Sequence, residues 1–161
     1  RPRPLHRGDV VLVDGGCSVH GYESDVTRTG VFGAPPSDRQ RRVWDLVRHA
    51  QQAAFEAARP GAECQAVDAA ARRVIDDGGF GPGYAHFTHR LGHGLGLDGH
   101  EWPYLVRGNA LRLQSGVVFT DEPGIYLEGE LGVRHEDPLV VTEQGCERLT
   151  PRWTATPEEP A

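Results

Sequence analysis

Residues 115–142 read SGVVFTDEPGIYLEGELGVRHEDPLVVT, and residues 8–32 read GDVVLVDGGCSVHGYESDVTRTGVF. Each is led by a Gly into a β-branched run, turns through Gly-rich chemistry and returns in a second β-branched run, the pattern of an antiparallel hairpin. In the earlier stretch the expected strands are residues 10–13 and 26–31, with Asp14 ending the first and Asp25 opening the second. In the later stretch Glu122 ends the first strand and the second carries Glu136. The paired carboxylates are eleven residues apart in one copy and fourteen in the other, so the two stretches read as a divergent internal repeat. Two such hairpins, paired about a pseudo-two-fold axis, would aim four carboxylates at one spot. Four anions share a buried site only if cations neutralise them or some hold protons. A metal cluster is the natural solution.

Between the hairpins, Ser37-Asp38-Arg39-Gln40 is a capping box after Pro35-Pro36. Val43, Leu46, Val47, Ala50, Ala54 and Ala57 follow at helical spacing until Arg59-Pro60-Gly61 stops them. A second helix is expected from about Glu63 to Asp77, with Val67, Ala70, Val74 and Ile75 on one face and Gly78-Gly79 ending it. Then comes HFTHRLGHGLGLDGHE, residues 86–101, which holds four of the eight His in fifteen residues. His89 and His93 have the spacing of a helical zinc pair, yet Gly92, Gly94 and Gly96 would each cost a helix about 1 kcal/mol. An extended loop or strand is the better reading, in which Gly lets backbone approach a metal or substrate closely and His supplies neutral imidazole. One His with four carboxylates is an oxygen-rich set suited to two hard or borderline divalent ions. Manganese is expected first, with cobalt or zinc as alternatives. Two ions about 3.5–4 Å apart can share a hydroxide and polarise a carbonyl, which is hydrolytic chemistry.

The whole chain bounds these readings. Its 161 residues, 38% hydrophobic and 25% charged, suffice for one domain with a sizeable core and exclude a disordered chain. The longest apolar runs fall far below the roughly 18 residues a membrane span needs. A net charge of −6 disfavours nucleic acid and anionic membranes as partners. Three Cys without a C-x-x-C pair point to a reducing, cytoplasmic setting. The start, Arg-Pro-Arg-Pro-Leu-His, lacks Met and an apolar leader, so the chain reads as cut from something longer.

Asp14 in VLVDGG, Asp25 in GYESDVTRT, His93 in HRLGHGLGLDGHE, Glu122 in TDEPGIY and Glu136 in GVRHEDPLVVT resemble the five metal ligands of the pita-bread metallopeptidases. The GHGLG and EPGIY segments, with their short gap to Glu136, resemble the Xaa-Pro branch, the prolidases and aminopeptidases P. The resemblance covers nearly the whole chain. It implies an α+β pita-bread (creatinase/aminopeptidase-like) fold whose curved antiparallel sheet carries the helices on its convex face and the metals on the concave one. Residues 1–150 would be the C-terminal portion of that catalytic domain, its first part missing, and 151–161 a C-terminal tail.

The resemblance further implies that Asp25 and Glu136 bridge two ions, that Asp14 binds one, and that His93 and Glu122 bind the other. Glu122 would also act as base, His100 and His89 would steady the scissile carbonyl and the oxyanion, and Arg134 would orient carboxylates. The substrate would be a proline-containing peptide, with dipeptides slightly favoured. Two departures stand out. A family His upstream of the first ligand would fall before Arg1, and Tyr104 stands where some prolidases place an Arg for the dipeptide carboxylate. Arg107 is the nearby cation in sequence. The segment is expected to form homo-oligomers or to stay associated with its missing N-terminal portion, and to be poorly active in isolation.

Plainer readings stand beside these. Asp14-Gly15-Gly16 and Glu122-Pro123-Gly124 are ordinary turn compositions, and Glu136-Asp137 could be a solvated charge pair. His6, His20, His49, His86 and His135 are expected to be structural or surface residues. Cys17, Cys64 and Cys146 read as small buried hydrophobes, and Trp44, Trp102 and Trp153 as packing. A silent pita-bread binding module, or an amidinohydrolase of the creatinase kind, is the competing function.

Overall fold

The computed structural model describes residues 3–151 and 156–159. Both hairpins form, and each is built in two stages. In the first, β1 (Val10–Gly15) pairs antiparallel with β4 (Val26–Val31), Asp14 opposite Thr27, and a short inner ladder joins β2 (Ser18–Val19) to β3 (Tyr22–Glu23). The second repeats this plan. There β7 (Val118–Asp121) pairs with β10 (Asp137–Val141), and the inner ladder joins β8 (Gly124–Leu127) to β9 (Leu131–Arg134). Asp25, Glu122 and Glu136 occupy the breaks between outer and inner ladders. Asp14 lies one residue inside its strand, because β1 runs on to Gly15 instead of ending at the carboxylate.

The hairpins meet where the Glu136 N–H donates to the Thr27 carbonyl at 3.1 Å. Alongside, the Thr29 hydroxyl donates to the Arg134 carbonyl at 2.7 Å. The second hairpin belongs to a five-stranded antiparallel sheet in the order β11, β10, β7, β5, β6, in which β5 is Gly92–Gly94, β6 is Glu101–Leu105 and β11 is Cys146–Arg148. The glycine-flanked histidine segment is therefore a strand, held between β6 and β7. A Cβ on Gly92 would sit 1.7 Å from the Thr120 carbonyl oxygen, and one on Gly94 2.5 Å from that of Trp102. Only glycine on both sides lets His93 sit this deep.

The helices form as the sequence predicts. Helix α1 (Asp38–Ala57) starts at Ser37, whose hydroxyl accepts from the Gln40 N–H while the Gln40 side chain accepts from the Ser37 N–H. Helix α2 (Cys64–Ile75) begins one residue after Glu63 and passes into a wide turn, Asp76–Phe80, with Gly79 at positive φ. Val43, Val47, Ala50 and Ala54 of α1 and Val67, Ala71 and Ile75 of α2 are buried with Phe87, Leu91, Phe119, Ile125 and Leu139, so the core lies between helices and sheet. Of the tryptophans, Trp44 is buried and donates to the Thr29 carbonyl at 2.7 Å. Trp102 contradicts the packing expectation: it is exposed, its ring edge-on to Tyr104. Trp153 lies outside the described residues. Cys64 is buried and Cys146 half-buried, whereas Cys17 is exposed because it sits in the turn after β1, where its N–H donates to the Ser24 hydroxyl.

Helix α2 also carries a buried ion pair absent from the sequence reading. Arg72 makes two parallel bonds to Asp68, at 2.9 and 3.0 Å, and its remaining N–H groups reach the carbonyls of Phe87 and His89. Asp68 in turn accepts from the Leu91 N–H at 3.1 Å. This pair grips the chain leading into β5. Removing one member leaves a buried charge alone, so Asp68→Ala is expected to lower unfolding stability by about 3–5 kcal/mol, checked by chemical denaturation, against a small loss if the pair were merely ornamental.

Candidate metal centre

Each carboxylate of the repeat arrives from a different strand end, and β5 brings His93 to the same place. Asp14, Asp25 and Glu136 offer ligand atoms all within 4.8 Å of one another, as do His93, Glu122 and Glu136, and likewise Asp25, His93 and His100. Glu136 is common to the first two groups and Asp25 to the first and third. The structure thus brings together the five residues that the resemblance made metal ligands, and beside them it places His100, expected as a substrate contact, its exposed ring 4.0 Å from that of His93. One plain reading fails here: Glu136 and Asp137 are both buried, so they are no solvated pair.

The donor set is short of positive charge. His93 Nδ1 lies 3.0 Å from the Gly94 carbonyl, which can only accept, so Nδ1 holds the proton and Nε2 presents a lone pair. That lone pair faces Glu122 Oε1 at 3.3 Å and Asp25 Oδ2 at 3.7 Å. Burial pushes the His93 pKa down to about 4, so the ring gains no second proton near neutrality. Burial also pushes Glu122 up to about 7 and, with the Glu122 charge as the next cause, Glu136 up to about 8. Asp25 is raised by burial and then by Asp14. A neutral imidazole lone pair and four carboxylates at such range fit divalent cations, whose charge would replace these protons.

Cationic and hydroxyl groups hold the carboxylates in place. Arg134 pairs with Asp14, donates to the Tyr126 hydroxyl at 3.0 Å and to the Thr27 hydroxyl at 3.2 Å, and its Nε is 4.0 Å from Glu136. Thr27 donates onward to Glu136 Oε2 at 2.5 Å. Thr120 links the His93 N–H to Glu122, at 3.1 and 3.2 Å. Behind Glu136, the buried Asp137 accepts from Arg28, Gln51 and Thr150, tying β4, α1 and the chain after β11 to β10. Asp121 lies opposite Asp137, fully buried, its carboxylate without a hydrogen-bond partner among the described residues, and burial drives its pKa well above the carboxylate range.

A cleft lined by His89, Arg90, His100, Tyr104, Glu122 and Arg134 opens beside these groups. His89 donates from Nδ1 to the Arg90 carbonyl at 2.8 Å, so Nε2 accepts from the Tyr126 hydroxyl, also at 2.8 Å. Arg107 turns away, stacking on Tyr84 on another surface. Arg90 lies in the cleft instead, its guanidinium 4.6 Å from the Tyr104 ring. The sequence reading passed over it, although its place directly after His89 was the available signal. His135, grouped with structural or surface residues, is buried edge-on to Trp44.

Residues 1–143 match the sequence model of metallopeptidase family M24. The chain is 44% identical over 146 residues to an Xaa-Pro dipeptidase of Pyrococcus furiosus, an alignment covering 91% of this chain and 41% of that protein. Among solved structures, the dipeptidase PepE of Mycobacterium ulcerans superposes with a TM-score of 0.90 at 46% identity, covering 96% of this chain and 41% of the other. The X-Pro aminopeptidase of Thermotoga maritima does so with 0.88 at 42% identity, covering 94% and 42%. The fold is therefore the pita-bread fold expected from the motifs, and the chain spans about two fifths of the relatives it matches.

Below their raised pKa values Glu122 and Glu136 keep protons that a cation must displace, so metal affinity falls as pH drops. Manganese binding is expected to weaken steadily from about pH 9 to pH 6 and to release protons, read by calorimetry in buffers of differing ionisation enthalpy. Affinity independent of pH over that range would contradict the protonated, metal-free state.

Proposed function

The chain belongs to metallopeptidase family M24, and from that premise we propose that the protein carrying it hydrolyses the peptide bond before proline, in dipeptides by preference and otherwise at peptide N-termini. The observation that supports this most is the convergence of Asp14, Asp25, His93, Glu122 and Glu136 beside a cleft bearing His and Arg side chains. In this reading those five residues hold two divalent ions, manganese first, with cobalt or zinc as alternatives. Asp25 and Glu136 would be shared between the ions, Asp14 would serve one, and His93 and Glu122 would serve the other. The ions supply, when bound, an activated water and a polarised carbonyl.

The chain's own groups do the rest. Glu122, half-buried at the edge of the cleft, would take the proton of the attacking water and return one to the departing proline nitrogen. His100, exposed at the cleft, donates to the oxygen on which negative charge develops. His89 is engaged by Tyr126 and steadies the cleft wall through that bond. Arg134 draws Asp14 into line and offsets the mutual repulsion of the carboxylates. An X-Pro bond calls for a dedicated site because its nitrogen is tertiary, carries no proton and restrains the residue before it.

Val13, Val19, Tyr22, Leu97 and Trp102 are each at least 60% exposed, which supports their being covered by further polypeptide or by a second copy. Among the described residues no helix is long and apolar enough to cross a membrane, and the three cysteines are free. A cytoplasmic setting accords with both.

With manganese, the protein carrying this chain is expected to cleave Ala-Pro and, more slowly, Ala-Pro-Ala. Failure on both would point to the silent binding module. Asp25→Ala should lose most of both ions by elemental analysis, since a bridging ligand serves two centres. His100→Ala should keep its metal and lose about 10²–10³ in turnover. A metal-free His100→Ala would make His100 a ligand, in keeping with its place beside Asp25 and His93.

A further inference from the structure

Thr27 stands where the two hairpins meet. In β4 it lies opposite Asp14, and across the hairpins it pairs with Glu136. Its side chain is fully buried. A buried threonine commonly returns its hydroxyl to nearby backbone. Thr29, two residues along the same strand, uses its hydroxyl on backbone alone, donating to the Arg134 carbonyl at 2.7 Å and accepting from the Arg134 N–H at 3.2 Å. Thr27 instead engages two charged side chains of the second hairpin, Arg134 and Glu136.

Chemistry fixes the direction of both bonds. A guanidinium can only donate, so the Arg134 Nε–H, at 3.2 Å, takes the hydroxyl oxygen as its acceptor. The single hydroxyl proton is left for Glu136 Oε2, at 2.5 Å. Among the described residues this is the one hydrogen bond the Glu136 carboxylate accepts, and the terminal torsion of a glutamate is otherwise broad. Glu136 is also the carboxylate common to the group with Asp14 and Asp25 and the group with His93 and Glu122. Rotation of its plane would favour one group at the expense of the other. The hydroxyl is separable from the joint between the hairpins: the Glu136 N–H donates to the Thr27 carbonyl at 3.1 Å, and Arg28 donates to the carbonyls of Thr27 and Glu136 at 3.0 and 2.7 Å. None of these contacts uses the Thr27 side chain.

We propose that Thr27 is a positioning residue that holds the Glu136 carboxylate toward both donor groups at once and so links two cation sites, a proposal that rests on the two-ion reading above. Without the hydroxyl the carboxylate is free to settle into whichever group takes a cation first, and a second cation is then held weakly. Groups that orient a metal ligand from behind commonly matter at this scale, about 10- to 100-fold in affinity.

The test titrates the metal-free protein that carries this chain with manganese by calorimetry, with elemental analysis after dialysis against a fixed free concentration. The parent should take up two ions per chain. Thr27→Val, which keeps the shape and deletes the hydroxyl, should bind the first ion as the parent does and the second about 10- to 100-fold more weakly. Thr27→Ser, which restores a hydroxyl, should recover most of that loss. Thr29→Val is the control for a buried hydroxyl with a purely structural role: its unfolding midpoint should fall while both ions bind as in the parent. If Thr27→Val binds both ions with parental affinity, or weakens both alike as a loosened fold would, the proposal falls. It falls equally if Thr27→Ser behaves as Thr27→Val does, since the hydroxyl is then not the cause. Should Thr27→Val fail to fold, Thr27→Ala is read for the same split between first and second ion, and its absence there overturns the proposal. A parent that takes up one ion or none defeats the two-ion reading, and the proposal with it.

Discussion

Four carboxylates that repel one another, pressed together at the meeting of two hairpins, set the terms for the rest of this structure. In water such groups would separate. Here the backbone forbids it, because Asp14, Asp25, Glu122 and Glu136 stand at strand ends fixed by outer and inner ladders. The bridge between Thr27 and Glu136 then locks the two hairpins together at the point of greatest repulsion. Folding brings the charges together through hydrogen bonds distributed along the ladders, and the resulting strain is what gives the site its appetite for cations or protons.

The surroundings divide into groups that relieve the repulsion and groups that hold position. Arg134 relieves it directly, touching Asp14 and approaching Glu136, while its bonds to Tyr126 and Thr27 restrict where the charge can sit. Arg28 and Asp137 form a second layer behind Glu136, and the buried Asp137 is satisfied from three separate parts of the chain. On the far side the Asp68–Arg72 pair secures the entrance to β5. Glycine on both sides of His93 then lets that strand pass between its neighbours without a side chain in the way. Each device is a cost taken in desolvation or backbone entropy, offset by the precision with which His93 and the carboxylates are aligned.

Local codes made much of this legible from residues alone. The capping box at Ser37 and Gln40, the helical spacing from Val43 onward and the β-branched runs depend on neighbours within one turn or along one strand, so sequence separation conveys them directly. The repeat was legible for the same reason, and with it the five ligand-type residues, since their types and spacings are written along the chain. The two-stage build of each hairpin was not, because the inner ladders are only two to four residues long and leave a faint alternation.

Residue types and their spacing convey which side chains can bind metal and on which elements they ride. Which charges meet is a matter of long-range packing. Arg107 follows Tyr104 closely in the chain and Arg90 lies well before it, yet the sequence neighbour stacks on Tyr84 outside the cleft while Arg90 lies within it, over the Tyr104 ring. His89 is engaged by Tyr126, 37 residues away, and Glu136 by Thr27, 109 residues away. Cys17 and Trp102 are exposed despite their apolar character. The physical reason is the same in each case: a side chain's type follows from sequence, but its partner depends on strand register and on the direction of burial, which are set by the packing of the chain as a whole.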